Sequence, residues 1–235
     1  MSQIVELPGN HHEVRARWDW HLWYRWVLAN AVGEGVGLGM TLMIGFVLLS
    51  IVEKTVGTVA VAGLAVLAGT CIEGMVVGTA QWLVLRRPLQ GMRWHTWALV
   101  TALGAFVAWA LGMIPSTFFL TGAHSGTAAP AMSDLVRYGL AALMGFVLGP
   151  ILGVPQWLVL RRYVQKAGWW VLANSLAWAV GMVVVFIGIH VALNSGSQVS
   201  IPVLLTLFLL LAGGAVGAVH GFALIWLMRS RRPAV

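Results

Sequence analysis

Six long apolar stretches constrain the fold of this chain more than any other feature. Each could cross the hydrocarbon core of a bilayer as a helix, which takes roughly 20 residues. They are too long for barrel strands and do not alternate apolar with polar residues. The sequence therefore predicts an all-α integral membrane protein with six transmembrane helices, numbered here as spans 1 to 6. We place them near 26–52, 59–85, 94–120, 135–160, 169–193 and 201–228.

Composition supports lipid as the main solvent of the chain. Hydrophobic residues make up 60% and charged residues only 9%, whereas soluble domains carry about a quarter charged residues. The polar segment 1–25 has no compact apolar run, which argues against a removable signal peptide and favours a retained first span. The single cysteine, Cys71, excludes an internal disulfide and a cysteine-based metal cluster.

The basic residues predict the orientation of the spans. Twelve of the fourteen lie at alternate span ends, in segment 1–25, the turns 86–93 and 161–166, and the tail 229–232. By the positive-inside rule, both termini and both basic turns face the cytoplasm of a bacterial-type inner membrane. The basic side chains then meet anionic lipid headgroups. The net charge of +7 does not indicate nucleic-acid binding, because no soluble domain carries it.

Repeated motifs divide the chain into similar units. The heptapeptide QWLVLRR occurs at 81–87 and 156–162, and the odd spans share WVLAN at 26–30 and 170–174, with WALVT at 97–101. A fixed period of this kind marks an architecture built from one supersecondary piece. After segment 1–25, we predict three two-helix hairpins, 26–92, 93–166 and 167–235. We expect them to pack about an approximate threefold axis along the membrane normal, although a row of hairpins would show the same letters.

Glycines at i and i+4 predict close helix packing. The even spans share the pattern G-x-x-x-G-x-x-[Q/H], which ends at Gln81, Gln156 and His220. Residues without bulk at this spacing let helix backbones approach inside a membrane. The segment GEGVGLG at 33–39 superficially resembles a dinucleotide-binding loop. No strand precedes it, so we interpret its glycines as packing positions too.

Polar residues form a predicted layer near the cytoplasmic face. The glutamines lie about 7 Å inside the span, and His220, nine residues before Arg229, lies somewhat deeper. Two interpretations remain open: hydrogen bonds between helices, at roughly 1 kcal/mol or less each, or a polar ring that lines a solute vestibule. The members are Asn30, Gln81, Thr101, Gln156, Asn174 and His220.

Two carboxyl groups lie deeper still. Glu34 is about 12 Å and Glu73 about 18 Å from the cytoplasmic ends of their spans, where an unpaired charge costs several kcal/mol. At 100° per residue, Glu34 shares a stripe with Asn30 and Thr41, and Glu73 with Thr70 and Gln81. The sequence thus predicts a polar seam between spans 1 and 2. Two neighbouring carboxyls hold one proton between them or bind a cation; alternatively, both are protonated structural pins.

The acids belong to the first hairpin alone. The residues that correspond to Glu73 in the other two hairpins are Leu148 and Ala212.

Span 4 has a different irregularity, Pro150 and Pro155, which predict a kinked or broken helix with freed carbonyls beside Gln156. Such interrupted helices occur at transporter binding sites.

The histidines do not predict a haem site. His190 and His220 differ in depth by roughly 15 Å, whereas a bis-histidine haem needs two ligands at one level. A pigment with one axial ligand could use either residue. We predict no cofactor.

The motifs favour transport over catalysis. No HExxH, GxSxG or Walker pattern is present, so we do not predict an enzyme. We predict a small transporter or channel for a proton, a cation or a small polar solute. The alternative is a non-catalytic scaffold or pigment-holding subunit of a larger membrane complex; either protein could form homo-oligomers. The candidate binding residues are Asn30, Glu34, Glu73, Gln81, Gln156, Asn174 and His220.

Overall fold

The computed structural model describes residues 19–56, 58–122, 133–197 and 199–230. Within these ranges the chain forms long helices joined by short turns. Span 2 is a composite rod, in which a π-helical segment, Gly69–Gly74, joins two α-helices. The bounds are α1 Trp20–Val56 (span 1), α2 Thr58–Ala68 and α3 Met75–Leu85 (span 2), α4 Trp94–Gly122 (span 3), α5 Asp134–Leu160 (span 4), α6 Trp169–Leu193 (span 5) and α7 Ser200–Met228 (span 6).

The six predicted spans are confirmed. Six helical stretches are long and apolar enough to cross a membrane, and large apolar side chains such as Leu135 cover their outer surface. Span 1 begins six residues earlier than predicted because Asp19 caps it: the Asp19 Oδ1 accepts a hydrogen bond from the Leu22 backbone N–H at 2.9 Å. Most of the predicted N-terminal segment, residues 1–18, lies outside the described residues. The fold is that of a polytopic membrane protein.

The six spans form a closed ring in chain order. Each span packs against the spans that precede and follow it in the sequence, and the last, span 6, packs back against the first, span 1. Among the described residues, no span has its backbone close to that of the span opposite it in the ring. A row of hairpins would leave spans 1 and 6 apart, so that arrangement does not describe this chain.

Glycine pairs join each hairpin to the next. The second glycine of each pair, Gly78, Gly153 or Gly217, lies on the residue that follows a tryptophan of the next odd span. A Cβ at these glycines would approach the Cα atoms of Ala98, Val171 and Val27 to 2.7, 3.2 and 3.0 Å. Contacts this short are tighter than ordinary van der Waals contacts to a Cβ, so glycine permits the close approach. The third pair closes the ring, because it belongs to span 6 and packs on span 1.

The glycine-rich stretch of span 1 packs as predicted at three of four positions. Gly33 and Gly37 lie against the backbone of span 2, and Gly35 lies against Leu210 of span 6. A Cβ on Gly39 would meet no atom of the described residues within 4 Å, so the close contact predicted for this glycine is not found among them. Span 1 thus uses two faces of one glycine-rich stretch to contact both of its neighbours.

The two QWLVLRR copies have the same environment letter by letter. Both glutamines are 4% exposed, both first leucines are 43% exposed, and the second leucines, Leu85 and Leu160, are fully buried. In each copy the first arginine lies over the ring of its own tryptophan, with 5.4 Å from guanidinium carbon to ring centroid. The heptapeptide therefore inserts its glutamine into the ring, buries its last leucine and ends at the surface.

An apolar plug closes the ring at its basic end. Its leucines lie four residues after Gln81, Gln156 and His220, and its tryptophans begin the shared motifs of the odd spans. All six side chains have no exposed surface, and they belong to one apolar core. The apolar plug consists of Leu85, Leu160, Leu224, Trp26, Trp97 and Trp170.

Span 4 is not broken by its prolines. Its α-helix runs without interruption from Asp134 to Leu160 and contains both Pro150 and Pro155, so the predicted break is wrong, and the alternative of a kink stays a prediction. Membrane helices tolerate proline where neighbouring helices support the freed backbone groups. Here Gly149 and Gly153 hold the same stretch against the backbone of span 5.

A polar cavity at the centre of the ring

All six spans contribute side chains to one cavity at the centre of the ring. Its volume is about 30 Å³, measured at the positions that a water centre can occupy. A single water needs about 10–15 Å³ on this measure, so the cavity has room for roughly two waters. The structure brings together every candidate residue from the sequence, Asn30, Glu34, Glu73, Gln81, Gln156, Asn174 and His220. Sequence reasoning missed several further lining residues, among them Trp178, Leu152 and Val216.

Three indole N–H groups form a layer between the cavity and the basic end. Trp97 Nε1 donates to Gln81 Oε1 at 3.1 Å, and Trp170 Nε1 donates to Gln156 Oε1 at 2.9 Å. In the corresponding place, Trp26 Nε1 donates to His220 Nδ1 at 2.8 Å. Each bond joins one hairpin to the next. We call these three pairs the indole layer.

Sequence reasoning did not predict the indole layer, although a signal was present. In each odd span, a tryptophan lies four residues before Asn30, Thr101 or Asn174. The side chain of each of these polar residues donates to the backbone carbonyl of its tryptophan, at 2.8 to 3.0 Å. The motif W-x-x-x-[N/T] of each odd span thus pairs with the motif G-x-x-x-G-x-x-[Q/H] of an adjacent even span; for span 1 this is span 6.

The glutamines connect the layer across the ring. Gln81 Nε2 donates to Asn30 Oδ1 at 2.9 Å. Gln156 Nε2 lies 3.1 Å from both Thr101 Oγ1 and Gln81 Oε1. The predicted polar layer is therefore a connected hydrogen-bond network, and all of its side chains are at most 6% exposed.

His220 lies at the level of the glutamines. Its ring is stacked on Trp170, with centroids 5.2 Å apart, and lies 5.6 Å from Trp26. The predicted greater depth is wrong within the ring, because span 6 continues one turn further before Arg229 than spans 2 and 4 do before their arginines. His220 Nδ1 accepts from an indole N–H, so the neutral ring carries its proton on Nε2. His190 lies elsewhere, exposed and 2.9 Å from Arg137 Nη1.

Glu34 presents an unpartnered carboxyl oxygen at the cavity. The residue is 6% exposed, and its side chain packs over Gly213 of span 6, where a Cβ would approach the Glu34 Cβ to 2.7 Å. Among the described side chains, Glu34 Oε2 is the one buried polar atom without a hydrogen-bond partner in the protein. A buried polar atom without a partner is costly, so a water, proton or cation in the cavity is its natural partner.

Glu73 is held by a different contact. Its Oε2 accepts from Trp109 Nε1 of span 3 at 2.7 Å. Glu73 lies in the π-helical segment, whose first residue, Gly69, leaves room for the Trp109 indole. The π turn adds a residue to the helix and changes the direction of the side chains after it. Such turns are frequent at functional sites, and the sequence did not predict this one.

The predicted seam between spans 1 and 2 is wrong in its extent. Glu34 packs on span 6 and Glu73 bonds to span 3, although both line the same cavity. Thr41 and Thr70 bond to carbonyls of their own helices and do not line the cavity. The acids therefore face a cavity shared by all six spans.

Comparison with family models, curated proteins and solved structures finds no match for this chain. Its function is therefore argued from the chemistry of the central cavity.

Proposed function

We propose that this protein is a small transporter or channel, and that a proton, a cation or a small polar solute passes through its central cavity. The unpartnered Oε2 of Glu34 is the main support. A carboxyl that only pinned helices together would be expected to have both oxygens bonded by protein donors, because it pays the desolvation of a buried polar group. A carboxyl that binds a solute keeps one position open.

The size of the cavity limits the solute. About 30 Å³ accommodates a proton carried on water or a small cation, and excludes sugars and amino acids in this conformation. The apolar plug separates the cavity from the basic end of the ring. The protein in this state is therefore closed on that side, as alternating access or gating requires.

The three hairpins supply the scaffold and the first hairpin supplies the acids. We propose that the hairpins are related by a pseudo-threefold axis, which the matching glycine contacts and the indole layer support. We also propose that the basic end faces the cytoplasm of a bacterial-type inner membrane. The solute would then cross from the outer side to the cavity and pass the plug to the cytoplasm, or move in reverse.

The alternative of a pigment-holding subunit has less support. An axial ligand needs a free ring nitrogen beside an open face. His220 uses Nδ1 for Trp26 and is stacked on Trp170, and the His190 ring lies against Arg137. A scaffold role without a pigment does not explain why a polar cavity lies at the centre of the ring.

Flux through reconstituted protein tests the proposal. The purified protein is placed in vesicles that contain anionic lipid, and gradients of H⁺, Na⁺ and K⁺ are imposed in turn. We expect faster flux of at least one ion than in protein-free vesicles and in vesicles with the double variant Glu34→Gln/Glu73→Gln. Equal rates in all three preparations would contradict transport. Purification in mild detergent adds a second readout, since a complex subunit retains partners and a transporter runs alone or as a homo-oligomer.

A further inference from the structure

We propose that the transported solute is the proton, and that His220 passes it between the cavity and the basic end, with the Trp26 indole as its gate. This inference rests on the proposed function and names its substrate.

Three amide oxygens of the cavity wall already accept hydrogen bonds. Gln81 Oε1 already accepts from Trp97 and Gln156, and Gln156 Oε1 accepts from Trp170. Asn30 Oδ1 accepts from the Gln81 amide. Hard cations need about six or more oxygen ligands, and these amide oxygens are already bonded to N–H groups. The buried Glu34 Oε2 has no hydrogen-bond partner in the protein, and a carboxyl oxygen can take up a proton without further ligands.

His220 is the one member of the indole layer that can exchange a proton. Its two counterparts, Gln81 and Gln156, accept indole N–H groups in the same way but have amides that do not titrate. A third glutamine could accept the Trp26 N–H equally well, so this hydrogen bond alone does not require a histidine. An imidazole has two ring nitrogens on opposite edges, and it can take up a proton at one while it releases a proton at the other.

The geometry assigns one nitrogen to each side of the layer. Nδ1 is turned to Trp26 in the apolar plug, so the Nε2 edge is left to face the cavity that His220 lines. A proton that reaches Nδ1 from the basic end bonds to its lone pair, and the Nε2 proton then leaves to the Glu34 carboxylate. The ring is neutral before and after, with its proton moved from one nitrogen to the other. Rotation of the ring resets it.

Trp26 blocks this step in the present structure. Its N–H occupies the Nδ1 lone pair at 2.8 Å, and an indole N–H can donate but not accept. A proton therefore cannot pass along this bond until the indole moves away. Once Nδ1 is protonated it can no longer accept from Trp26, so uptake of the proton itself favours the open gate.

The described cavity lining around His220 contains acidic side chains but no second basic one. Of the titratable groups that line the cavity, the others are Glu34 of span 1 and Glu73 of span 2. Span 5 presents Trp170, Asn174 and Trp178, and spans 3 and 4 present no ionisable side chain to the cavity. No lysine or arginine is among the lining residues that the structure describes. On the cavity side, the ionisable groups that can exchange a proton with His220 are therefore these two carboxyls.

The variant His220→Gln tests the relay, because it makes the third pair of the indole layer identical in type to the other two and keeps an acceptor for Trp26, although it removes the ring stacked on Trp170. A potassium diffusion potential drives protons into vesicles that hold a pH-sensitive dye. We expect His220→Gln to lower the proton flux at least about tenfold, with an unchanged melting temperature in detergent. We expect Trp26→Phe, which frees Nδ1, to raise the proton flux several-fold.

The flux measurements test the relay, the gate and the identity of the transported ion separately. Wild-type proton flux in His220→Gln would overturn the relay, and unchanged flux in Trp26→Phe would overturn the gate. Flux of Na⁺ or K⁺ without protons in the wild type would overturn the inference and leave the proposed function standing. No flux of any ion would contradict both.

Discussion

Replacement of Glu34 by glutamine is expected to lower ion flux through the reconstituted protein at least about tenfold, because it removes the group that we propose exchanges a proton or attracts a cation in the cavity. Glutamine is nearly the same size as glutamate, so the packing over Gly213 is preserved. Flux is measured in vesicles under the same imposed gradient for wild type and variant, at equal amounts of incorporated protein.

Glu73→Gln is the matched control for this prediction. Glu73 differs from Glu34 because its Oε2 accepts from Trp109, and a glutamine oxygen can accept the same bond. We therefore expect Glu73→Gln to retain much more flux than Glu34→Gln. Equal loss in both variants would show that the two carboxyls act as a pair, and full flux in Glu34→Gln would remove its carboxyl from the mechanism.

Gly149→Val is expected to prevent accumulation of folded protein. A Cβ on Gly149 would overlap the backbone N and Cα atoms of Ser175, so spans 4 and 5 would have to separate. Overpacking commonly costs about 1–3 kcal/mol where side chains can adjust, and a backbone cannot adjust as readily. We expect a loss at the upper end of this range or beyond it. The measurement is the yield of monodisperse protein in detergent and its melting temperature.

Gly139→Val provides the control in the same helix. Gly139 is exposed and has no neighbour within 4 Å of an added Cβ, so valine there should face lipid without a clash. We expect near wild-type yield and melting temperature. If Gly149→Val were equally well folded, the close contact between spans 4 and 5 would be wrong.

Span positions could be predicted from the sequence because membrane thickness and interface chemistry are local constraints. The C-terminal ends of spans 2 and 4 were predicted at 85 and 160, where the structure ends them. Both ends carry an arginine pair that stops at the headgroups. The start of span 1 was missed because the Asp19 cap allows a polar, tryptophan-rich turn to join an apolar helix.

The sequence also allows a prediction of which polar residues line the cavity, but not of the hydrogen bonds between them. Polar residues in a membrane turn away from lipid, which was enough to bring Gln81, Asn174 and His220 to one cavity. Which donor meets which acceptor depends on how neighbouring spans rotate. The bonds from Trp26 to His220 and from Trp109 to Glu73 join residues far apart in the chain, and no helical periodicity contains that information.

The π-helical segment shows where periodicity itself fails. Helical angles at 100° per residue placed Thr70 with Glu73 on one stripe, but the π turn at Gly69–Gly74 changes the angle between them. Thr70 bonds to the Val66 carbonyl of its own helix, and only Glu73 reaches the cavity. The turn is stabilised by contact with Trp109 of another span, so it is a tertiary feature.

The closed ring can be tested most directly by a disulfide between spans 1 and 6. A Cβ on Gly214 would lie 3.8 Å from the Ala31 Cβ, within the separation of about 3.5–4.5 Å that a disulfide needs. The variant Ala31→Cys/Gly214→Cys is made in a Cys71→Ala background, with a protease site inserted between residues 122 and 133. The control pair is Ala31→Cys/Val154→Cys, since Val154 is on span 4 and exposed.

After oxidation and cleavage, the two halves of the Ala31→Cys/Gly214→Cys chain should remain joined until a reductant is added, while those of the control pair separate. Separation of the halves in both variants, or links that form only between different chains, would show that spans 1 and 6 do not meet within one molecule and that the central cavity is not enclosed.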